Sequence, residues 1–449
     1  MLNYIWLGLM VTAVIIGGLK GQLKAVAEES LNSANVAVVK IAFTLIGVMA
    51  LWLGVMRLAE RAGLVALLAR ALGPIMRRLF PEVPPEHPAM GSMLMNIAAN
   101  MFGLGNAATP LGLRAMKDLE SLNPRPGTAT NAMCTFLAIN TSGIQLIPVT
   151  AIAILVANKS TNPTAIVGTS IICTACAAVS GVLMAKFLSR LPIFRVSAAA
   201  ASPNPKPAAD PAAPATPEKP VVKEAAGLPP LDRWGKLIIS AFLFFFAYLF
   251  VRMVFPNDPS QAVSPEAAGQ NVFIRMVSAV SVLAIPFLLA AIPLFAMLRR
   301  VKVYEEFVDG AKEGFEVAIR IIPYLVAMLV AIGMFRAAGG IDLLSKALSP
   351  VLNAVGFPPD LAPMVLVRPL SGSGSLGFFT DLVRQFGPDS LIARMAGTIY
   401  GSTETTFYVL AVYFGSVAVT RTRHAVLAGL TADFMGVVAA VLVCRIVFG

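Results

Sequence analysis

Glu404 carries the sharpest chemical signal in the chain. It sits in Gly401-Ser402-Thr403-Glu404-Thr405-Thr406, between Ile399-Tyr400 and Phe407-Tyr408-Val409-Leu410. An ionisable side chain in the middle of an apolar segment costs about 2.5–3.5 kcal/mol on membrane-insertion scales, so its retention points to function. A carboxylate placed there can bind a substrate hydroxyl or base, carry a coupling proton, or ligate a cation. The structural alternative is an ion pair with Arg368 or a hydrogen bond that holds a broken helix. The corresponding stretch of the first half, Asn140-Thr141-Ser142-Gly143-Ile144-Gln145, is uncharged. The two halves are therefore expected to contribute unequally.

Two glycine-rich interruptions supply further polar groups: Gly103-Leu104-Gly105-Asn106, and Ser371-Gly372-Ser373-Gly374-Ser375 after Arg368. Irregular chain at membrane depth survives only inside protein or beside a water-filled cavity, because unpaired backbone groups are costly in hydrocarbon. Half-helix N-termini formed at such turns present free N–H groups to a ligand's oxygens. Close helix packing through small residues is the competing explanation, but two such elements in matched positions favour a polar binding cavity. The candidate substrate-binding residues are Asn96, Asn100, Gly103, Gly105, Asn106, Thr109, Asn140, Thr141, Ser142 and Gln145 in the first half. In the second half they are Arg368, Ser371, Gly372, Ser373, Gly374, Ser375, Ser402, Thr403, Glu404 and Thr405. Arg368 is expected either to neutralise Glu404 or to meet an anionic ligand. Asp433, within the last apolar run, reads as an internal cap or pair, and His87 and His424 read as interfacial. No Ser/His/Asp set, Walker loop or metal-ligand cluster is present, so the sequence makes no case for an enzyme, a bound metal or an organic cofactor. Coupling to Na+ or H+ remains open on these residues.

The elements that must position these groups are membrane helices. With 57% hydrophobic and 13% charged residues in 449, the chain has too few polar groups to cover a soluble globule. A bilayer crossing takes roughly 20 mostly apolar residues, and such runs lie near 3–19, 37–58, 165–190, 236–255, 272–298, 318–337 and 424–447. Two more, near 127–157 and 391–418, are too polar in the middle to be plain spans. Lys and Arg number 35 against 24 Asp and Glu. They cluster at the ends of apolar runs, which indicates positive-inside orientation and the lipid bilayer as partner rather than nucleic acid. Cys134, Cys173, Cys176 and Cys444 lie in or beside apolar segments, which argues against a disulfide framework or a zinc site. The first 18 residues lack a signal peptide's positive n-region and cleavage site, so they read as a retained helix.

The chain also repeats itself. Leu67-Leu68-Ala69-Arg70-Ala71-Leu72-Gly73-Pro74 returns as Leu343-Leu344-Ser345-Lys346-Ala347-Leu348-Ser349-Pro350, and the glycine turns follow at nearly the same separation. Residues 196–233, rich in Ala, Pro and Lys, are expected to be a flexible cytoplasmic linker between membrane halves at 1–195 and 234–449. Each half is expected to hold an amphipathic stretch leading into an apolar helix (37–58, 318–337) and a short interfacial helix (60–72, 340–349). A re-entrant hairpin (88–113, 360–383), a broken helix and a final apolar helix complete it. With re-entrant hairpins the chain crosses about nine times, and the extra helix at 236–255 inverts the second copy. The basic loops then fall on the cytoplasmic side with the N-terminus, while Asp258 and Glu266 fall outside. The expected fold class is an all-α polytopic membrane protein of two inverted repeats.

These residues carry a resemblance. The first half, with Asn96-Ile97-Ala98-Ala99-Asn100-Met101-Phe102-Gly103-Leu104-Gly105-Asn106 and Phe136-Leu137-Ala138-Ile139-Asn140-Thr141-Ser142, resembles spore maturation protein A. The second, with Arg368-Pro369-Leu370-Ser371-Gly372-Ser373-Gly374-Ser375 and Gly401-Ser402-Thr403-Glu404-Thr405-Thr406-Phe407-Tyr408, resembles spore maturation protein B. The whole looks like a fusion of the two. Both halves are similar to the nucleoside recognition, or gate, domain of ferrous-iron permeases and, more distantly, of concentrative nucleoside transporters. The resemblance implies inverted repeats with re-entrant hairpins in a bacterial cytoplasmic (inner) membrane. The leading expectation is a permease for a small polar solute, with a nucleoside-like one as a candidate, that can form a homo-oligomer. The alternatives are a non-transporting membrane assembly or maturation factor and, third, a metal-ion gate.

Overall fold

Apolar runs bounded by Ser, Thr and Asn caps become helices. The computed structural model describes residues 2–103, 105–194, 230–256, 271–354 and 356–449. The predicted linker up to residue 229, and the loop with Asp258 and Glu266, lie outside the described residues. In the first half, α1 (Leu2–Leu19) is followed by α2 (Leu23–Asn35), which runs through a π-helical turn at Val36–Ala42 into α3 (Phe43–Arg61). Next come α4 (Leu64–Leu79), the hairpin helices α5 (Pro88–Met101) and α6 (Gly105–Glu120), the broken pair α7 (Asn131–Thr141) and α8 (Val149–Ala157), and α9 (Ile166–Arg190). The second half has α10 (Arg233–Val254), α11 (Val272–Leu298), α12 (Val303–Ala337) and α13 (Gly340–Ala354). It continues with the hairpin helices α14 (Ala362–Val367) and α15 (Gly372–Phe386), the broken pair α16 (Leu391–Ser402) and α17 (Thr406–Gly415), and α18 (Ala425–Phe448).

Among the described residues six helices are long and apolar enough to cross a bilayer: Leu23–Arg61, Ile166–Arg190, Arg233–Val254, Val272–Leu298, Val303–Ala337 and Ala425–Phe448. The chain is thus an all-helical, multi-pass membrane protein. The starts of the interrupted elements are written locally. Thr130 and Ser390 accept from the N–H of Met133 (3.1 Å) and Ala393 (3.2 Å) at the heads of α7 and α16. His87 accepts from Ala89 N–H at the head of α5, with Pro88 as its first helical residue. The amphipathic α4 and α13, expected at 60–72 and 340–349, run through Pro74 and Pro350 to Leu79 and Ala354, and α4 begins at Leu64. A proline removes one intrahelical donor, and in α4 the apolar face continues past it to the buried Met76.

Matching helices of the two halves pack antiparallel. On α3 and α12, a Cβ at Gly310 would sit 2.6 Å from Leu53 O and one at Gly314 2.5 Å from Ala50 Cα, so only glycine allows this approach. The seam ends in ion pairs from Arg57 to Glu306 (3.0 Å) and Glu313 (2.5 Å) and from Arg61 to Glu306 (3.2 Å). On α9 and α18, Gly181 faces Ala432 while Ala177 faces Gly436. The halves also exchange partners: α18 packs on α7 and α16 on α9, while α17 lies along α7 and α16 along α8.

Loops cross in the same reciprocal way. The hairpin-to-α7 loop bonds the α17-to-α18 loop through Ala129 N to Arg421 O (3.0 Å) and Arg421 N to Gly127 O (3.0 Å). The α8-to-α9 loop donates to Asp389, between α15 and α16, from Ser160 Oγ (2.6 Å), Thr161 N (2.9 Å) and Thr161 Oγ1 (2.9 Å). Partial burial pushes the Asp389 pKa up, but these donors outweigh it and hold the carboxyl below the ordinary aspartate value. A depressed folded-state pKa contributes stability above the unfolded value, about 3.9, that is lost as pH falls through the folded value. The melting-temperature advantage of wild type over Asp389→Asn is therefore expected to be full at neutral pH and to shrink in acid below about pH 4. Thermal unfolding across that range checks this, and an advantage independent of pH would contradict it.

Candidate functional site

The two helix breaks meet. The carbonyl of Thr141, the last residue of α7, has no intrahelical donor and receives Glu404 N–H from the other half at 2.8 Å. Gly143 makes the crossing possible: its φ is +53°, and a Cβ there would lie 3.0 Å from both Glu404 Cγ and Thr403 C. Beside this crossing Gln145 Nε2 donates to Glu404 Oε1 at 3.1 Å. Each break is also tied to its own hairpin. Leu146 N donates to Met101 O at the end of α5, and Phe407 N donates to Pro369 O between α14 and α15, both at 3.0 Å.

A polar cavity of about 110 Å³ opens at the crossing, bounded by Gln145, Pro148, Arg368, Gly372, Tyr400 and Glu404, with Thr150, Ala151 and Gly401 completing it. Its wall joins unlike groups. The first turn of α8 carries amides without intrahelical acceptors, α16 ends there with exposed carbonyl character, and Glu404 contributes a carboxyl. The volume suits several waters or a small solute and lies below the about 300–1,000 Å³ of drug-sized ligand pockets.

Arg368 does not pair with Glu404: among the described residues no ion pair joins them. Its Nη2 donates to Tyr400 O at 3.0 Å and to Thr403 O, its Nε donates to Thr403 Oγ1 at 3.2 Å, and its Cζ lies 4.7 Å from the centre of the Tyr400 ring. The guanidinium thus caps the C-terminus of α16, whose free carbonyls and negative dipole end satisfy a charge that is only 3% exposed.

Of the candidate residues, the cavity wall takes Gln145, Arg368, Gly372 and Glu404. Thr141 and Thr403 sit at the crossing behind it. Thr405 is buried, with its Oγ1 3.0 Å from where a Cβ on Gly372 would be. Ser142 and Ser402 bond back to Ile139 O (2.6 Å) and Ile399 O (3.4 Å) within their helices. Ser371 caps α15 by accepting from Gly374 N (2.9 Å), Ser373 Oγ lies 3.3 Å from it, and Ser375 Oγ donates to Ser371 O (2.9 Å). Gly374 packs against Val367, where a Cβ would come within 2.8 Å. Gly103 makes its hairpin turn at φ +74°, Gly105 begins α6, and Thr109 is half-buried on that helix. The side chain of Asn106 lies outside the described residues.

Asn96, Asn100 and Asn140 form a second polar cluster, joined by a residue that the sequence reading missed. Tyr413 Oη, from α17, donates to Asn140 Oδ1 at 3.3 Å and accepts from Asn96 Nδ2 at 3.2 Å. Asn100 Nδ2 donates to the same Asn140 oxygen at 3.1 Å. Gly112 leaves room for the phenol, since a Cβ would overlap Tyr413 Oη. Gly112→Ala is expected to destabilise by about 1–3 kcal/mol through overpacking. Most of that loss should vanish in a Tyr413→Ala background, which removes both the hydroxyl and the ring carbon that the new Cβ would overlap; additive losses in thermal unfolding would contradict the assignment. Tyr413 and Tyr400 carried no sequence signal because aromatic residues in apolar runs look like core. Pro148, the N-cap of α8, is a signal that could have located the restart of the broken helix, since proline cannot continue a preceding helix.

Residues 42–190 and 318–420 match the Gate family, described as nucleoside recognition. Spore maturation protein B of Bacillus subtilis (strain 168) is 45% identical over 175 residues, covering 39% of this chain and 98% of that protein. Spore maturation protein A of the same organism is 43% identical over 187 residues, covering 42% of this chain and 95% of that protein. The pair is consistent with a fusion of A-like and B-like halves. Inner membrane protein YjiG of Escherichia coli (strain K12) is 30% identical over 84 residues, 18% of this chain and 55% of that protein. Among solved structures, the Alcanivorax borkumensis YdaH transporter is 14% identical, with a TM-score of 0.35 over 99% of this chain and 97% of that one. Matched by the family over more than half its length, with two relatives covered almost end to end, the chain belongs to the nucleoside recognition (Gate) family.

Proposed function

We propose that the protein is a permease for a small polar solute in the bacterial cytoplasmic membrane, binding it where the two helix breaks cross. The observation that carries this reading is the cavity of about 110 Å³ walled by Glu404, Gln145, Arg368 and the first turn of α8. Such a wall suits a solute with an oxygen acceptor toward the α8 amides and Arg368, and a donor toward Glu404. A nucleoside would need the cavity to open further. Inverted repeats at 1–195 and 234–449, joined by a cytoplasmic linker at 196–233, fit the antiparallel pairing of α3 with α12 and α9 with α18 and the reciprocal loop contacts. In this reading the hairpins are re-entrant, the chain crosses nine times, and alternating exposure comes from moving the hairpin-bearing elements against α3 and α12. The inner-membrane relative YjiG supports the location.

Uptake into proteoliposomes, with a panel of nucleosides, small carboxylates and amino acids, tests the proposal. One or more solutes should accumulate, and Glu404→Gln should cut that uptake at least about tenfold, the loss expected for a charge-assisted hydrogen bond of about 1.5–3 kcal/mol. Equal uptake by wild type and Glu404→Gln for every solute would reject the site. No uptake of any solute, with a stoichiometric partner on purification, would favour the maturation-factor role named in the spore maturation relatives.

A further inference from the structure

Asp433 is a second carboxyl at the crossing; unlike the half-buried Glu404 it is buried, and it is absent from the cavity wall. It lies on the face of α18 that also carries Gly429 and Gly436. A Cβ at Gly429 would meet Thr406 Cγ2 at 2.9 Å and Thr141 Oγ1 at 3.3 Å, and one at Gly436 would meet Thr403 Cγ2 at 2.6 Å. The face of α18 holding Asp433 is therefore pressed against both breaks at once. Asp433 is 4% exposed; its Oδ2 accepts from Thr406 Oγ1 at 2.5 Å, and its Oδ1 is buried with no hydrogen-bond partner.

A carboxylate in that setting would hold its negative charge on a single hydroxyl donor. Among the described residues no Lys, Arg or His nitrogen forms an ion pair with it. Its charged neighbours are Arg368 and Glu404, whose fields oppose one another, and Arg368 is committed to the carbonyls of Tyr400 and Thr403. The other ionisable groups on helices packed against α18 include the thiols of Cys134 and Cys173, the phenols of Tyr400, Tyr408 and Tyr413, and the guanidinium of Arg394. None of them is bonded to Asp433. A buried acid without a counter-charge neutralises instead of remaining ionised, and a proton needs only the one vacant oxygen.

We infer that Asp433 is a proton-binding site, loaded in this form of the protein, whose occupancy is linked to the position of the break that carries Glu404. The link is short. Thr406, the partner of Asp433, is the first residue of α17 and follows Glu404 by two positions, and the next residue, Phe407, bonds the tip of the second hairpin. Release breaks the Asp433 O–H bond and passes the proton to water, leaving a carboxylate. That charge cannot stay buried on one hydroxyl donor, so the head of α17 must move to admit water or further donors. The linkage to solute movement rests on the permease reading; the protonation of Asp433 does not.

Infrared spectroscopy of the full-length protein in lipid nanodiscs at pH 7 tests the site. The wild type should show a protonated-carboxyl C=O band that Asp433→Asn removes, that returns at a shifted frequency in Asp433→Glu, and that survives in Glu404→Gln. Asn keeps an acceptor for Thr406, and matched melting temperatures will show that the variant folds. Superimposable wild-type and Asp433→Asn spectra in the C=O region would overturn the inference. So would conversion of the band to ionised carboxylate on adding NaCl, which would assign a Na+ site instead. Failure of the permease reading would appear separately, as uptake indifferent to Glu404→Gln with the band intact.

Discussion

Arg368→Met is expected to lower stability by about 3–6 kcal/mol, from the loss of two charge-assisted bonds to carbonyls at about 1.5–3 kcal/mol each. Tyr400 O and Thr403 O close a helix that ends inside the protein, where the guanidinium is their side-chain donor. Lysine should rescue only part of the loss. Its ammonium is a point charge on a flexible stem and cannot span both carbonyls, the Thr403 hydroxyl and the Tyr400 ring as the planar fork does. Thermal or denaturant unfolding in detergent reads the effect. Were Arg368 mainly a counter-ion for Glu404, the double variant Arg368→Met/Glu404→Gln would recover stability; the carbonyl cap predicts no such recovery.

Gly143→Val should be nearly as damaging. The residue has φ +53°, and its new Cβ would be driven to 3.0 Å from backbone and side-chain atoms of the opposite break. Left-handed backbone costs a non-glycine residue about 1–2 kcal/mol and overpacking adds about 1–3 kcal/mol. The expected destabilisation is therefore about 2–5 kcal/mol. Because the clash separates Thr141 from Glu404, uptake should fall with stability. Gly47→Ala, at a helical glycine with nothing within 4 Å of its Cβ position, is the matched control, with no destabilisation expected and a gain of up to about 1 kcal/mol from helix propensity.

The breaks themselves were legible in the sequence because glycine, serine, threonine and glutamate interrupt otherwise apolar runs, and the membrane leaves few reasons for such interruptions. The repeated Leu-Leu motif marked a duplication, but the antiparallel approach of α3 to α12 and of α9 to α18 had no local mark. What faces what at the crossing was not legible. Gln145 reaches Glu404 only because α7 and α17 lie side by side, a tertiary fact without a local signature. Ser371, Ser373 and Ser375 look like a row of ligand hydroxyls, yet a serine three residues ahead of a helical N–H is also a cap, and the structure shows these hydroxyls bonding within their own turn. Arg368 illustrates the same limit. Its charge suggested a carboxylate partner, whereas the end of a broken helix provides equivalent negative character that no residue type announces.

Cross-linking of Gln145→Cys with Glu404→Cys tests the meeting of the two halves most directly. The four native cysteines would first be replaced, a protease site placed within residues 196–233, and the protein treated in membranes with a short bifunctional thiol reagent before cleavage. Contact between the breaks predicts that the two halves remain joined on a denaturing gel, with each single-cysteine variant separating into two fragments. Clean separation of the double variant, with both cysteines shown to be modified by the reagent, would contradict the account.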